Sequence, residues 1–522
     1  MLTGPRQSIL LIRNTLYGHV MTKLRQYLSA LLILALAQSS CVLMSRVSRG
    51  PGGESQAAPS TGYGSLARFP FREGWYGMYF KEDKIGYSHF EIAPSGPNFK
   101  ISSESMLRLT ALKETNEISM KEKVIVRPDL TLISFENLVR KNNKELRMDG
   151  RVEGGRLRLD LAVEGETANH EYPIKGDIYH SSAISLMPAM KGLKEGNSYS
   201  FAVFNAEKQG VEQVEQHISK VIGEPGPGDA SWKIKTRYGR SVILSWFDAK
   251  GLAILERGLD GSMITMLEDK GSAKSFQAKK TPGKDAVLDF SLIRVAKPIP
   301  NPAQVKYLKI GVEGISLSAV PGDHRQKIFV GSGGTTSGSF EVIIRAEEPG
   351  TGGGSTKPLS AALEKECLAS TLAIQSDHKE IVAQAEKIVS QKDPDLEKVR
   401  KLVNWTATEI KHKTRDSFTE LSALRDGEGE CNAHANLYTA LARSQKIPTR
   451  VVIGLVYTQD VGFLYHAWAE SYVNGWLAVD PTLNQVPADA THIKLLTDDS
   501  VESRNSLLEA MGKIKIDVRE IK

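Results

Sequence analysis

The spacing of apolar residues changes at the glycine-rich stretch PGTGGGST of residues 349–356. Before it, runs such as RLRLDLAV and KIKTRY alternate apolar and polar side chains, which is typical of sheet strands with one solvated face. After it, Ile381, Ala385 and Ile388 follow helical spacing. A chain of 522 residues also exceeds the size of one ordinary core. At least two folded regions are therefore expected.

The pattern predicts five segments in all. Strand-like runs begin after Phe69, and turn-rich stretches such as the proline-rich KPIPNP at 297–302 interrupt them, so this region is one curved sheet or two smaller units. Helices followed by strands at RVVIGLVY, LYHAWAESYV, WLAVD and KIKIDVRE predict an α+β domain at the C-terminus. The predicted segments are an exported leader or anchor at 1–41, a flexible tether at 42–68, a β-rich region at 69–349, a linker at 350–358 and the α+β domain at 359–522.

Residues 21–41, MTKLRQYLSALLILALAQSSC, have the three parts of a secretory signal: a basic start, a short apolar run and small residues. Cleavage after Ala37 fits an A-x-A site, while QSSC resembles a bacterial lipobox that would place a lipid on Cys41. The segment could also stay as an uncleaved anchor. Each alternative predicts export to the periplasm or cell envelope, with a membrane tether at the N-terminus.

Charge argues against a nucleic-acid partner. The formal net charge is +6, but the first 41 residues hold four basic residues and no acid, so the remainder carries +6 − 4 = +2. No basic stripe with interleaved aromatic residues is present. Only Cys367 and Cys431 follow the leader, which is too few for a disulfide framework.

Cys431 lies in GECNAHA, where Gly427 and Gly429 precede it and helically spaced apolar residues follow. The pattern predicts that Cys431 begins a helix, where unpaired backbone N–H groups and the positive end of the dipole favour a thiolate. The same N–H groups could hold an oxyanion. Asp426, Glu428 and Glu430 would oppose the thiolate if buried, so they are expected to face water.

His466 in LYHAWAESYV is the candidate base, and Asp480 on the next strand is the candidate carboxylate that orients its ring. A two-residue turn at Asn474-Gly475 would place the two on opposite faces of the hairpin. A three-residue loop pairs Tyr472 with Trp476 and brings Asp480 diagonal to His466 on one face. The three-residue loop is predicted.

These stretches, GECNAHANLYTALARSQKIPTRVVIGLVY and YHAWAESYVNGWLAVDPT, resemble the core of the transglutaminase-like superfamily of papain-like thiol enzymes, in its exported bacterial form. The resemblance spans roughly residues 370–520 and implies helices packed on an antiparallel sheet. It implies a catalytic triad of Cys431 as nucleophile, His466 as general base and acid, and Asp480 as the orienting carboxylate. Ala433 stands where the family commonly has an acidic residue, which leaves a secondary polar contact open.

Other interpretations of the same residues carry less weight. His434, three residues after the cysteine, is expected on the helix surface or supporting the site. Cys431, His434 and His466 could ligate zinc, but no second close pair completes a tetrahedral set, so no metal and no cofactor are expected. Glu470 shares the face of His466 and is expected to support the loop.

The sequence thus predicts an exported thiol enzyme that cleaves or transfers acyl groups at peptide or side-chain amide bonds through a Cys431 thioester. A peptidase or amidase is favoured, with a protein or cell-envelope peptide as substrate. The alternatives are a protein-glutamine amine transferase that cross-links proteins, and a non-catalytic peptide-binding or assembly protein with the β-rich region as its main interaction surface.

Overall fold

The computed structural model describes residues 60–522 except 112–113, 142–143, 164–165, 206–209, 223–226, 239–240, 259–260, 276–290, 331–338, 349–357, 372–373, 413–419 and 498–509. The predicted leader, most of the predicted tether and nearly all of the predicted linker lie outside these residues. The described chain forms two compact units, and the main division between them falls between residues 275 and 291. None of the described helices is long and apolar enough to cross a membrane.

The N-terminal unit is built on one sheet of fifteen described strands. In chain order they are β1 (Glu73–Phe80), β2 (Asp83–Ser95), β3 (Asn98–Ala111), β4 (Glu114–Val126), β5 (Leu132–Lys141), β6 (Lys144–Glu153), β7 (Arg156–Val163), β8 (Glu166–Pro173), β9 (Ile178–His180), β10 (Ser198–Asn205), β11 (Gly210–Lys220), β12 (Trp232–Tyr238), β13 (Ser241–Phe247), β14 (Ala253–Gly258) and β15 (Met263–Glu268). The short helices α1 (Met187–Lys191) and α2 (Lys270–Lys274) and the 3₁₀ turns Leu66–Arg68 and Ser181–Ala183 accompany them.

Two runs of strands meet at β1 and β15, giving the order β8-β7-β6-β5-β4-β3-β2-β1-β15-β14-β13-β12-β11-β10-β9. Neighbours follow one another in sequence within each run, so short connections suffice for the antiparallel pairs, whereas β9 and β10 pair in parallel and are joined by residues 181–197. β7 shows why the chain forms strands here: Leu157, Leu159 and Leu161 are buried while Arg156, Arg158 and Asp160 are exposed. The predicted alternation is therefore the observed burial pattern, and the region is β-rich as predicted.

The C-terminal unit contains five described helices and ten described strands. The helices are α3 (Ala361–Leu368), α4 (Lys379–Ile388), α5 (Asp395–Glu409), α6 (Glu420–Asp426) and α7 (Cys431–Ser444), with 3₁₀ turns at Pro302–Gln304 and Leu317–Ala319. The strands are β16 (Tyr307–Glu313), β17 (Gln326–Phe329), β18 (Phe340–Arg345), β19 (Lys411–His412), β20 (Glu428–Gly429), β21 (Thr449–Thr458), β22 (Gly462–Tyr472), β23 (Trp476–Val479), β24 (Ile493–Leu496) and β25 (Lys515–Ile521).

These strands form a sheet of order β23-β22-β21-β24, a second of order β17-β18-β16-β25, and the parallel pair β19-β20. One buried apolar cluster combines side chains of α4, α5 and α7 with side chains of β22 and β23, including Leu437, Ala469 and Val479. Tyr438 of α7 also meets Ser471 of β22, with 2.6 Å between their hydroxyl oxygens. These contacts fix where α7 begins relative to β22.

The C-terminal unit begins earlier than the sequence predicts. Strands β16 to β18 fall within the predicted β-rich region at 69–349, yet β16 pairs with β25 at the end of the chain, from Leu308 opposite Ile521 to Glu313 opposite Lys515. The boundary predicted at 350–358 is therefore too late, and the described chain divides closer to the proline-rich 297–302. Period-two alternation identifies a strand but not the sheet it joins, because the partner strand lies about 200 residues away.

Candidate active site

The hairpin of β22 and β23 decides whether His466 and Asp480 can meet. Tyr472 pairs with Trp476, and the Val473 N–H donates to the Gly475 carbonyl over 2.8 Å. Asn474 and Gly475 both have positive φ, 55° and 139°, a conformation that glycine and asparagine tolerate best. This is the pairing that the three-residue loop predicts.

The His466 Nε2 atom lies 2.6 Å from Asp480 Oδ2, and both side chains are fully buried. Because an ionised carboxylate can only accept hydrogen bonds, the hydrogen lies on Nε2. With the hydrogen on Nε2, Nδ1 is the ring atom that can take a proton. Asp480 Oδ1 accepts from the backbone N–H groups of Thr482 and Leu483 at 2.7 and 2.9 Å.

Asp480 is ionised although it is buried. Burial acts to raise the pKa of its carboxyl, but the rings of His466 and His492 outweigh burial and hold that pKa well below its usual value. A carboxylate that keeps its charge here can orient an imidazole and stabilise it when it gains a proton.

Cys431 is the first residue of α7, as predicted. Its sulfur accepts hydrogen bonds from the backbone N–H groups of Ala467 and Asn432, which favour the thiolate. Because Ala467 directly follows His466 on β22, this contact brings the sulfur to the strand that carries the candidate base. The start of α7 and the hairpin thus converge.

The protonation state of Cys431 differs from the prediction. The residue is only 3% exposed, and burial is the main reason that the pKa of its thiol is raised, with Glu430 contributing next. Glu430 was expected to face water but is buried, whereas Asp426 is exposed and Glu428 half-buried. Desolvation beside a carboxylate outweighs the N–H groups and the helix dipole, so Cys431 rests as a thiol.

His434 is buried and holds the chain around Cys431. Its Nδ1 lies 2.8 Å from the Glu430 carbonyl oxygen and its Nε2 lies 3.0 Å from the Ile410 carbonyl oxygen. Burial lowers the pKa of this imidazole. The ring therefore supports the site by connecting the residue before Cys431 to the end of α5, and it does not lie on the helix surface.

His492 is part of the site although the sequence gave no reason to single it out. Its Nε2 lies 3.0 Å from Asp480 Oδ2, the oxygen that also binds His466, and its Nδ1 lies 3.2 Å from Asp489 Oδ1. The signal that could have identified it is an aspartate and a histidine three residues apart in DATHIKLL, followed by Lys494, in a stretch that otherwise holds small or apolar residues and one threonine.

Glu470 joins β22 to its neighbours β21 and β24 through ion pairs, and its expected support of the loop stays a prediction. It accepts from Arg450 Nε and Nη2 at 2.9 and 2.7 Å and pairs with Lys494 of β24. Lys494 also pairs with Asp323, which precedes β17. A buried charge is tolerated only when it is compensated, so these pairs hold the edges of the sheet around His466 in one arrangement.

Within the described residues, one cluster has the spacing of a metal site: ligand atoms of His466, Asp480 and His492 lie within 4.8 Å of one another. Hydrogen bonds from the two rings to the carboxylate already account for that spacing. The zinc set considered from the sequence, Cys431 with His434 and His466, is not such a cluster in the described chain, because His434 points both ring nitrogens at backbone carbonyls. We therefore assign no metal.

A buried cysteine at a helix N-terminus, beside a strand whose histidine is held by a carboxylate, is the arrangement of a papain-like thiol site. Residues 382–481 match the family model described as the transglutaminase-like superfamily. This part of the chain is a transglutaminase-like domain, and the resemblance seen in the sequence is confirmed over these residues. Cys431, His466 and Asp480 lie within the match, whereas His492 and Asp489 lie beyond it.

Similar solved structures include a β-barrel-like protein of the domain family of unknown function DUF1849 from Brucella abortus, 14% identical, with a TM-score of 0.29 over 38% of this chain and 95% of that one. A "putative cysteine protease" from Cytophaga hutchinsonii is 17% identical, with a TM-score of 0.27 over 42% and 86% of the two chains. These likenesses are too weak to carry an argument. No curated protein matches the chain.

Proposed function

We propose that the protein is a thiol enzyme that attacks peptide or side-chain amide bonds through Cys431. The observation that carries this proposal is the 2.6 Å hydrogen bond between His466 Nε2 and the ionised Asp480, on the strand whose Ala467 N–H binds the Cys431 sulfur. An oriented imidazole beside a cysteine is the minimum that general-base activation of a thiol requires.

The reaction begins with a neutral thiol, so proton transfer accompanies attack. His466 takes the thiol proton while the sulfur bonds to the substrate carbonyl carbon, and backbone N–H groups at the start of α7 stabilise the oxyanion. The C–N bond then breaks, and His466 returns the proton to the departing amine, which leaves a thioester on Cys431. Water or an acceptor amine attacks the thioester, loses a proton to His466, and regenerates the thiol.

Hydrolysis is the default outcome because water is far more concentrated than any acceptor amine, and transfer to an amine requires a site that excludes water. The experiment incubates the full-length protein with peptide and cell-wall peptide pools in heavy-oxygen water, with and without a primary amine. A hydrolase places heavy oxygen in a new carboxyl group, whereas a transferase attaches the amine to a glutamine side chain. Loss of both products in Cys431→Ser supports the proposal; products that persist in this variant contradict it.

Thiol labelling tests the site without a known substrate. Cys367 is a matched control because it is also buried, and burial raises the pKa of its thiol as well. Cys431 should react with iodoacetamide faster than Cys367, and the preference should disappear in His466→Ala. Equal slow labelling of the two cysteines in the wild type would instead favour a peptide-binding protein without turnover.

Export is proposed on the sequence of residues 21–41 alone. Fractionation of cells that express the natural gene should place the protein in the envelope, and mass spectrometry of its N-terminus distinguishes cleavage after Ala37 from lipidation of Cys41. Cys41→Ser should release the protein from the membrane if the lipid is its tether. An intact leader on a protein in the cytoplasm would contradict export.

A further inference from the structure

The carboxylate that orients His466 has a second imidazole on the same oxygen atom. Asp480 Oδ2 lies 2.6 Å from His466 Nε2 and 3.0 Å from His492 Nε2, while Oδ1 accepts two backbone N–H groups. All four contacts are donors to one buried carboxylate. Its position is therefore set by His492 and the backbone as much as by His466.

We propose that His492 is a fourth functional member of this site, a positioning residue held as a cation between Asp480 and Asp489 that fixes the carboxylate against which the His466 ring is oriented. The effect of His492 on reactivity rests on the proposed thiol chemistry. Its contacts with Asp480 and Asp489 are observed independently of that chemistry. His492 acts through Asp480 and does not touch the reacting atoms.

The charge of His492 follows from its partners. Each ring nitrogen faces a carboxylate oxygen, Asp480 Oδ2 on one side and Asp489 Oδ1 on the other, and a neutral imidazole could donate to only one of them. Burial alone would lower the pKa of this ring, but the two carboxylates raise it to about 9. The backbone carbonyl oxygen of Asp489 also lies 3.2 Å from Nδ1, and the rings of His466 and Trp468 lie against this ring with centroids at 5.9 and 5.2 Å.

Asp489, the second carboxylate that contacts His492, is also held in place by hydrogen bonds. Asp489 Oδ1 accepts from the Thr491 N–H and hydroxyl at 2.8 and 2.6 Å, and Oδ2 accepts from Gln485 Nε2 at 2.8 Å. Gln485 in turn exchanges backbone hydrogen bonds with Asp480 at 2.9 and 3.0 Å. The loop from Asp480 to His492 is thus closed on itself, so His492 cannot move without moving Asp480.

Arg325 ties the loop to a segment far upstream of the matched transglutaminase-like residues. The buried guanidinium donates to the Ala488 carbonyl at 2.8 Å and to the Asp489 carbonyl, and it pairs with Glu347 at 2.7 Å. Residues around β17 and β18 therefore complete the support of a carboxylate that lies more than 130 residues later. This gives the second sheet of the C-terminal unit a role in the site.

The wild-type protein provides the first test, which does not depend on activity. Ring-nitrogen NMR of the full chain, with His492 assigned by its loss in His492→Gln, should show this imidazole as a cation at pH 7. A neutral His492 at pH 7 would overturn the proposal. This measurement does not depend on the reactivity of Cys431. If Cys431 proves unreactive, the proposed function fails, but the charge of His492 still tests its position between Asp480 and Asp489.

The second test compares His492→Gln with His180→Gln, a change at an equally buried histidine of the N-terminal unit. The rate of Cys431 labelling and the kcat on any substrate found should fall at least about tenfold in His492→Gln, with KM nearly unchanged and the pH profile displaced. His180→Gln should leave both unchanged. If His492 only stabilised the fold, His492→Gln would lower the fraction of folded protein without changing the reactivity of the folded molecules. A wild-type labelling rate and pH profile in folded His492→Gln would therefore overturn the proposal.

Discussion

The Nε2 atoms of His466 and His492 converge on the single oxygen Oδ2 of Asp480, at 2.6 and 3.0 Å. One ring, His466, lies beside the residue whose N–H binds the Cys431 sulfur, and the other lies against Asp489. A buried carboxylate normally becomes neutral unless it is compensated. The second histidine adds to the compensation that His466 supplies.

Asp480→Asn should leave the fold of the N-terminal unit intact and remove most of the activity. An asparagine presents its amide hydrogens to one of the two rings, which disfavours the His466 tautomer with hydrogen on Nε2. By comparison with other triads, kcat should fall by roughly 10³- to 10⁴-fold. Steady-state rates and Cys431 labelling measure the effect. The control is Asp517→Asn, an exposed aspartate on β25, and a similar loss in both variants would contradict the assigned role of Asp480.

Glu430→Gln should make Cys431 more reactive toward small electrophiles. Glu430 is the second cause, after burial, of the raised pKa of the thiol, so removing its charge should lower that pKa. The rate of iodoacetamide labelling at constant pH should rise severalfold, and the pH–rate curve should move toward lower pH. Glu428→Gln is the matched control, since that glutamate is only half-buried and Glu430 is the buried carboxylate that acts on the Cys431 thiol. Identical curves for wild type and Glu430→Gln would be incompatible with this account.

Local pattern was sufficient to predict much of the site. The start of α7 at Cys431 and the pairing of Tyr472 with Trp476 follow from glycine positions, helical spacing and turn chemistry within a few residues. The alternating burial of β7 follows in the same way. These features depend on neighbours in sequence, which is why they can be derived without coordinates.

The features that could not be predicted from the sequence depend on contacts between residues that are far apart in the chain. Whether Glu430 faces water depends on how α7 packs, and burial there reverses the expected effect on the Cys431 thiol. The alternation in β16 gave no sign that its partner would be β25. His492 acquires its significance only when the loop after β23 folds back to bring it to Asp480.

Stability should depend on pH through His492. Its pKa is raised from 6.5 to about 9 in the folded protein, so its contribution is fully present below pH 6.5 and is lost as pH rises through about 9. This rise in the pKa of His492 on folding corresponds to a stabilisation of about 3 kcal/mol. Urea unfolding of wild type and His492→Gln at pH 6 and pH 9.5 measures it. The difference in free energy of unfolding between wild type and His492→Gln should be smaller at pH 9.5 than at pH 6. A difference that is constant or grows with pH would contradict a stabilising charge on His492.

Gly454→Ala should damage the sheet that carries His466. Gly454 of β21 lies opposite His466 on one side and Lys494 on the other. An added Cβ would overlap the Ile493 carbonyl oxygen and would lie 2.6 Å from Trp468 Cη2, so backbone next to His492 must move. Overpacking of this kind costs about 1–3 kcal/mol. The free energy of unfolding in urea and the rate of Cys431 labelling should both fall, because the displaced strand β24 begins directly after His492. Gly322→Ala is the matched control, since its Cβ would meet its nearest neighbour, the Gln326 carbonyl oxygen, at an ordinary 3.6 Å. Wild-type stability and labelling in Gly454→Ala would mean that β24 can shift without disturbing Asp480, and the tight coupling between His492 and the site would then be wrong.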